Sequence, residues 1–435
     1  MTDQPIRPPR RLRTDGAYSD LILVVETANG PYVRQIPSAL PLPADMEHGR
    51  AAETAAHSAA ATWGMPDFVY RNAHVSKGSG TRELGDLLLL AGHRGAVVQV
   101  KARTIAPKGD DQERFWIQKV AAKAMKQAKG TVRQLRLLPA EMSNGRGRIL
   151  TVDGNAYEWI AVFLLDHNQV PAGTVASWEP VGMPALALTR RDWDFLFDHL
   201  RSMTAVLDYL FRSAAAPTTA LGDEPLRYYE FAAADAMTPP ADIDTHLVQP
   251  GDVTRSIPPL PQAPVDDGKT RAHLVVRMVM EHIATLDLPD HAAESDRLTV
   301  LSDLDQLPPG VRAEWGQLLL DMLDDVSGIL DGLRWRCRRQ LNADATRQIL
   351  WTCWNQFDSN TEALFASFVM LRHHEIATRI GRADELATVG VLLTPHYGGR
   401  RPWNTTMIRT HGRSNLTSEQ VAELDRLWNH NSRWA

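Results

Sequence analysis

The sequence predicts an α/β amino-terminal half followed by a mainly helical carboxy-terminal half. Three observations carry this. Strand-like and helix-like stretches alternate from Leu21 to Arg212 in the order strands, helix, strands, helix, which is the pattern of a layered α/β domain. Two strongly apolar runs, Leu84–Leu90 and Ala96–Val100, flank the turn Ala91-Gly92-His93-Arg94-Gly95 and read as a buried hairpin. After Ala236 the texture changes: Pro239, Pro240, Pro250, Pro258, Pro259 and Pro261 crowd one stretch, and helical patterns dominate from Arg271 onward.

Residues 1–18, rich in Pro and Arg, read as a flexible arm. Leu21–Thr27 and Tyr32–Ile36 are apolar, β-prone runs joined by Asn29-Gly30, a hairpin signal. Pro41 and Pro43 then break the chain. Arg50–Trp63 is alanine-rich and helical, and Phe68–Val75 suits a further strand. Gln112–Leu138 carries an apolar stripe at helical spacing: Ile117, Val120, Ala121, Ala124, Ala128, Val132 and Leu135. Ile149–Val152 and Trp159–Leu165 read as strands, and Arg190–Arg212 as one amphipathic helix. The first domain is thus expected over residues 19–236 and a Pro-rich linker over 237–270. In the region 271–435, helices are expected at Leu274–Leu286, Trp315–Leu330, Asp331–Leu341, Thr346–Trp354, Thr361–Gly381 and Ser418–Trp428, the last capped by Ser418. Ala387–Leu393 is the single strand expected there.

Composition narrows the function classes. The 435 residues suggest two or three domains. Lys and Arg total 47 against 52 Asp and Glu, so any polyanion must be met by a local patch and not by a global basic field. Cys337 and Cys353 are the only cysteines, which excludes a disulfide framework or a cysteine zinc cluster. The first residues lack the apolar core of a signal peptide, and no apolar run reaches the length of a membrane span. A cytoplasmic setting without a membrane partner is expected.

The chemistry concentrates in Asp86 and in Gln99-Val100-Lys101. Gln99 and Lys101 are two apart and share one face of a strand. A four-residue hairpin loop, either Ala91–Arg94 or Gly92–Gly95, sets Asp86 opposite Gln99 or opposite Lys101. Three polar side chains then converge at one end of an apolar hairpin, where they are costly unless paired or bound to a metal. A carboxylate, an amide oxygen and an ammonium so placed suit phosphodiester hydrolysis. Asp86, the Gln99 side-chain oxygen and the Val100 carbonyl would hold Mg²⁺ or Mn²⁺, a Lewis acid toward phosphate and water. Lys101 would stabilise the charge that builds on phosphorus. Glu83 lies three residues from Asp86, so a regular strand turns it to the opposite face; only a bulge at Gly85 would bring it in.

With Asp86, a turn and Gln99-Val100-Lys101, the sequence resembles the PD-(D/E)XK, or restriction-endonuclease-like, nuclease superfamily in its Gln-x-Lys form, and in particular its uncharacterised bacterial members. The resemblance covers about Leu21 to Leu165. It implies a mixed central sheet flanked by helices and metal-dependent cleavage of DNA, with RNA left open beside it. A setting in bacterial defence against foreign DNA follows from that analogy alone. It also implies an assisting Glu on the preceding helix, for which Glu53 is the match. Gly85 stands where the signature has Pro, and Gln99 where it often has an acid. The neutral Gln99 keeps a second reading in view, a catalytically degenerate nuclease fold that binds nucleic acid or regulates.

The helix after Lys101 adds to this. Between Gln99 and Arg136 there are ten basic residues and three acidic ones. Lys119, Lys123 and Gln127 follow helical spacing, with Lys126 and Arg133 nearby, and such a face would track phosphates. Other features are bland. His373-His374-Glu375 lacks the i, i+4 spacing of a zinc protease. Arg334–Arg339 is expected to be a solvated helix face. Trp315, Trp335, Trp351 and Trp354 read as core or interface anchors. The carboxy-terminal region is expected to sense a ligand, recruit a protein partner or form a homodimer.

Overall fold

The structure is a computed structural model that describes residues 9–12, 20–71, 74–77, 80–83, 85–238, 240–248, 256–264, 266–288, 292–328, 332–342, 344–396 and 402–429. The chain forms two compact units. The first comprises Met1–Thr238, Pro259–Pro264 and Ala292–Pro309; the second comprises Pro239–Pro258, Val265–His291 and Gly310–Ala435. Most of the expected arm lies outside the described residues, apart from the strand β1 (Arg10–Leu12).

In the first unit β1 pairs with β2 (Leu21–Thr27), which forms the expected hairpin with β3 (Gly30–Ile36). Leu21, Leu23 and Val25 are buried and alternate with partly exposed neighbours, the period of a half-buried strand. Helix α1 (His48–Gly64) starts where Glu47 accepts hydrogen bonds from the Gly49 and Arg50 amides. Its inward stripe is Ala51, Ala52, Ala56 and Ala60, small side chains that let the helix lie close to its neighbours. The strand expected over Phe68–Val75 is shorter, β4 (Val69–Tyr70) after a 3₁₀ turn at Pro66–Phe68. Next come a separate small hairpin, β5 (His74–Lys77) and β6 (Gly80–Glu83), and then β7 (Leu87–Ala91) and β8 (Arg94–Ala102).

Helix α2 (Asp110–Leu137) crosses back over the sheet and is followed by the hairpin β9 (Ala140–Ser143) and β10 (Ile149–Val152). Then come β11 (Glu158–Asp166) and β12 (Ala185–Thr189). The central sheet is mixed, in the order β12-β11-β8-β7-β4. β8 lies antiparallel to β7 and parallel to β11, as a crossover through α2 requires. Strand β8 is buried from Gly95 to Val100 because both faces are covered. Val97, Leu88, Leu90, Ala161, Phe163 and Leu165 pack in one cluster with Ile117, Ala121, Ala124 and Ala128 of α2. Alternation turns Ala96, Val98, Leu89 and Val162 to the other face, where α1 is among the helices packed on the sheet.

The single helix expected over Arg190–Arg212 is two, α3 (Arg190–Leu200) and α4 (Met203–Ala215). Arg201 takes a left-handed conformation (φ +52°) that ends α3, and Ser202 caps α4 by accepting from the Ala205 amide. The apolar period runs through the break, so spacing alone hides it. α5 (Glu224–Met237) completes this stretch. The chain leaves for α6 (Asp267–Thr285) of the second unit and returns for α7 (Glu294–Asp305). There Asp305 accepts from Ser202 Oγ (3.1 Å) and from the Thr204 amide (2.7 Å). The expected linker is therefore packed at several points: Pro261 O accepts from Tyr228 Oη at 3.1 Å, and Leu247 belongs to a buried cluster of the second unit.

The second unit corrects the mainly helical expectation. After α8 (Pro309–Val326), the stretches read as helices at Asp331–Leu341 and Thr346–Trp354 contain strands β13 (Trp335–Leu341) and β14 (Arg347–Trp354). With α9 (Thr361–Ala377), β15 (Ala387–Pro395), β16 (Trp403–His411) and α10 (Ser418–Asn429), they build a four-stranded sheet ordered β13-β14-β15-β16. The β14–β15 pair is parallel, joined through α9. Ile349-Leu350-Trp351-Thr352 is rich in β-branched and aromatic residues, but burial on both faces removes the alternation that marks a strand. Leu350, Trp335 and Trp354 pack with Phe365, Phe368 and Trp428, whereas Trp351 stacks on Trp315 of α8. The tryptophans read as core anchors are packed in this way. Thr417, not Ser418, caps α10: its Oγ1 accepts from the Gln420 amide while Gln420 Oε1 accepts from the Thr417 amide. No helix among the described residues is long and apolar enough to cross a membrane.

Candidate functional site

The β7–β8 hairpin turns through only two residues, Gly92 (φ +58°) and His93, with Ala91 paired to Arg94. Its register, Leu87 opposite Val98, continues to Asp86 opposite Gln99, one of the two arrangements the spacing allowed. The strand begins at Leu87 and not at Leu84, because Gly85 takes φ +78° and turns the chain away. A Cβ at Gly85 would stand a tight 3.2 Å from Gln99 Nε2 and 3.3 Å from Val97 Cγ1, and the positive φ favours glycine there. Glu83 pairs with His74 in the small hairpin instead of continuing the central strand.

This departure leaves a notch beside β8, and Asp86 fills it. The Val100 amide donates to Asp86 Oδ2 at 2.7 Å, replacing the strand partner that β7 no longer supplies. Lys101 folds back over the same point: its Nζ lies 3.1 Å from Asp86 Oδ2 and 2.9 Å from the Val100 carbonyl. Two oxygens, one carboxylate and one carbonyl, thus converge on a cation at the fork of the hairpin. The Asp86 and Lys101 side chains are 15% and 22% exposed, enough to be reached from solvent. Gln99 is almost fully buried, on the face of β8 that packs under α2, with its amide against Gly85.

The connection from β8 to α2 is fixed by a second polar group. Arg103 Nε and a terminal nitrogen donate to the two oxygens of Glu113, each at 2.8 Å, and the Arg103 guanidinium covers Trp116 at 4.8 Å. His167 Nε2 lies 2.9 Å from Glu113 and the Lys108 amide donates to it at 3.2 Å. The Arg103 guanidinium holds the Glu113 carboxyl down at about 2 despite burial. The amino-terminal end of α2 is thereby pinned at the end of β8 that carries Lys101. Asp110, Asp111 and Glu113 also suit the positive end of the helix dipole.

From there α2 presents the expected basic face. Lys119, Lys123, Lys126 and Arg133 are exposed and Gln127 is half-buried. Gln118 and Arg114, on one flank of the helix, bond the β11–β12 connection at Val175 and Ala172. Lys123, Gln127 and Gly130 are on the opposite flank, further along the helix from its pinned end. With Lys126, Lys129 and Arg133 they line a concavity of about 510 Å³. Gln127 Oε1 is buried there without a hydrogen-bond partner. Lys119 is outside that lining.

Asp86, Val100 and Lys101 are therefore brought together, with Gln99 buried against Gly85, and the concavity on α2 is lined by none of them. Glu53 sits in the second turn of α1, a helix that packs on the face of β8 opposite Gln99. The Arg103–Glu113–His167 group went unnoticed in the sequence because its members are far apart; the signal was an acid in the first turn of a helix that follows a strand ending in Lys-Ala-Arg. Other motifs are structural. His373 bonds Thr388 and Gly412, each at 2.8 Å, and Glu375 pairs with Arg339 and Arg372. Arg334–Arg339 runs into strand β13 and is no helix face.

The two oxygens that meet at one point suit a hard cation in type, and they carry only one negative charge. Among the described residues no group of three or more His, Cys, Asp or Glu side chains is placed to hold a metal. Compared with protein-family models, with curated proteins and with solved structures, the chain matches none.

Proposed function

We propose that the chain is a metal-dependent nuclease of the PD-(D/E)XK kind that hydrolyses phosphodiester bonds of DNA in the cytoplasm. One observation carries the reading: Lys101 Nζ stands on both Asp86 Oδ2 and the Val100 carbonyl, at the fork of an otherwise apolar hairpin. An ammonium and two oxygens grouped at one point support a reading as a site for hydrolysis of a phosphodiester. The mixed sheet, with α1 on one face and α2 on the other, agrees with the resemblance.

Asp86 and the Val100 carbonyl would hold Mg²⁺ or Mn²⁺, with the Gln99 amide oxygen as a third donor, and the ion would supply Lewis acidity toward the phosphate. The chain's own groups do the rest. The Val100 amide fixes the Asp86 carboxylate by its 2.7 Å bond. Lys101, released from Asp86 when another cation takes its place, is at hand to meet the charge that builds on the phosphate. Lys123, Lys126 and Arg133 hold the polymer on the flank of α2. Glu53, on α1, is the assisting acid that the resemblance implies. A role in defence against foreign DNA and a protein partner for the second unit rest on the resemblance and on the unassigned second unit.

The second reading, a silent site that binds nucleic acid, draws on the single charge of the donor set. Cleavage of supercoiled and linear DNA, and of RNA, with Mg²⁺ or Mn²⁺ separates the two. Metal-dependent cutting by the wild type that vanishes in Asp86→Ala and Lys101→Ala supports the nuclease. Salt-sensitive binding without cutting of either polymer supports the silent site.

A further inference from the structure

A second cavity lies in the first unit, between the proline-rich stretch after β3, helix α1 and helix α3. Its volume is about 600 Å³, within the range that holds small organic ligands. Most of its wall is apolar, including Ile36, Leu42, Met46, Ala55 and Phe195. Charged groups line it too, and their bonding differs. Arg190 spends its guanidinium on Asp166 (2.7 Å) and on the Leu40 carbonyl (2.5 Å). Arg34 stands 3.6 Å from Asp198, and Arg191 donates to the Gly222 carbonyl at 2.8 Å. The Nε atoms of Arg34 and Arg191 lack acceptors but are enclosed, out of reach of a ligand.

Asp194 is the exception. Asp194 lines the cavity, and its carboxyl makes no hydrogen bond or close ion pair among the described residues, although the Arg190 charge acts on it. A carboxylate in an apolar cavity without a partner is costly, and a cationic donor removes that cost. We infer that this cavity is a binding site for a small amine with an apolar body, its ammonium on Asp194 and its body against Leu42, Met46, Ala55 and Phe195. Burial pushes the Asp194 carboxyl up to about 6, outweighing the attraction of the Arg190 guanidinium. The inference is independent of the nuclease reading, since none of Asp86, Gln99, Val100 and Lys101 lines the cavity.

The test uses the full chain and three matched probes, hexylamine, hexanol and hexanoate, titrated by calorimetry with a thermal-shift series alongside. Hexylamine is expected to bind at least tenfold more tightly than hexanol, and hexanoate more weakly than either. Asp194→Asn should bring hexylamine down to the level of hexanol with the melting transition retained. Ala55→Phe, which fills the cavity and keeps Asp194, should abolish binding of all three. Preference for hexanoate would mean that the arginines define the site and would overturn the inference. So would absence of binding by every probe, or an amine preference that survives Asp194→Asn.

Discussion

Replacing Lys101 by methionine separates metal binding from catalysis. In the structure the Lys101 ammonium occupies the point where Asp86 Oδ2 and the Val100 carbonyl meet, at 3.1 and 2.9 Å. A divalent cation must displace it, so the two contacts oppose binding by what they contribute. Hydrogen bonds to charged groups contribute about 1.5–3 kcal/mol, and the partial exposure of both side chains favours the low end. A release of ~1.5 kcal/mol corresponds to roughly a tenfold gain in affinity. Lys101→Met should therefore bind Mn²⁺ about ten times more tightly than the wild type while cutting at least ~100-fold more slowly, since a group that stabilises transition-state charge is gone. Calorimetric titration with Mn²⁺ gives the first quantity and plasmid cleavage the second, with Asp86→Ala as the control that loses both. Unchanged or weaker Mn²⁺ binding in Lys101→Met would refute the idea that the ammonium and the metal share one place.

Three further outcomes follow from the same geometry. Glu113 has a folded-state pKa near 2, below its ordinary value, so its contribution is present above about pH 4.5 and is lost as pH falls toward 2. Denaturant melts of Glu113→Gln should show a loss of about 3 kcal/mol at neutral pH and a flatter acid limb than the wild type. In the second unit, a Cβ on Gly316 would stand 1.7 Å from the Ala272 carbonyl oxygen, backbone that cannot swing aside. Gly316→Ala should force α6 and α8 apart and destabilise the fold by at least the ~1–3 kcal/mol of an overpacked core, read as an earlier melting transition. On α2, changing Lys123, Lys126 and Arg133 together to Gln should lower the slope of log affinity against log salt by about 2–3, read by fluorescence anisotropy with duplex DNA. An unchanged slope would place the polymer elsewhere.

Local pattern made the site legible because its residues are close in sequence. Asp86 and Lys101 lie on one hairpin, whose register was restricted to two arrangements by counting, and alternation put Gln99 and Lys101 on one face. What counting could not supply was the turn at Gly85, which converts Asp86 from a strand residue into the filler of a notch. Glu53 shows the opposite case: its placement depends on which face α1 covers, and nothing local encodes that. The helix break at Arg201 and Ser202 was hidden for a related reason, since the apolar stripe continues across it. The strands of the second unit were misread because Ile349–Trp354 is buried on both sides and shows no period. There, strand pairing across the loop from β13 to β14 decided the outcome over local spacing.

The crossing of the chain between the two units has a consequence for synthesis. Ser202, Thr204 and Tyr228 find their partners at Asp305 and Pro261, far downstream of the stretch that carries the candidate site. A nascent chain that has emerged only to Thr238 holds every strand of the central sheet yet leaves α4 without the carboxylate that holds its first turn. Closure of the first unit must wait until α7 has left the ribosome, while α6 of the second unit is already out. The hairpin with Asp86 and Lys101 is thus formed early and consolidated late, and a fragment cut after Thr238 should open more readily under protease than the same residues within the whole chain.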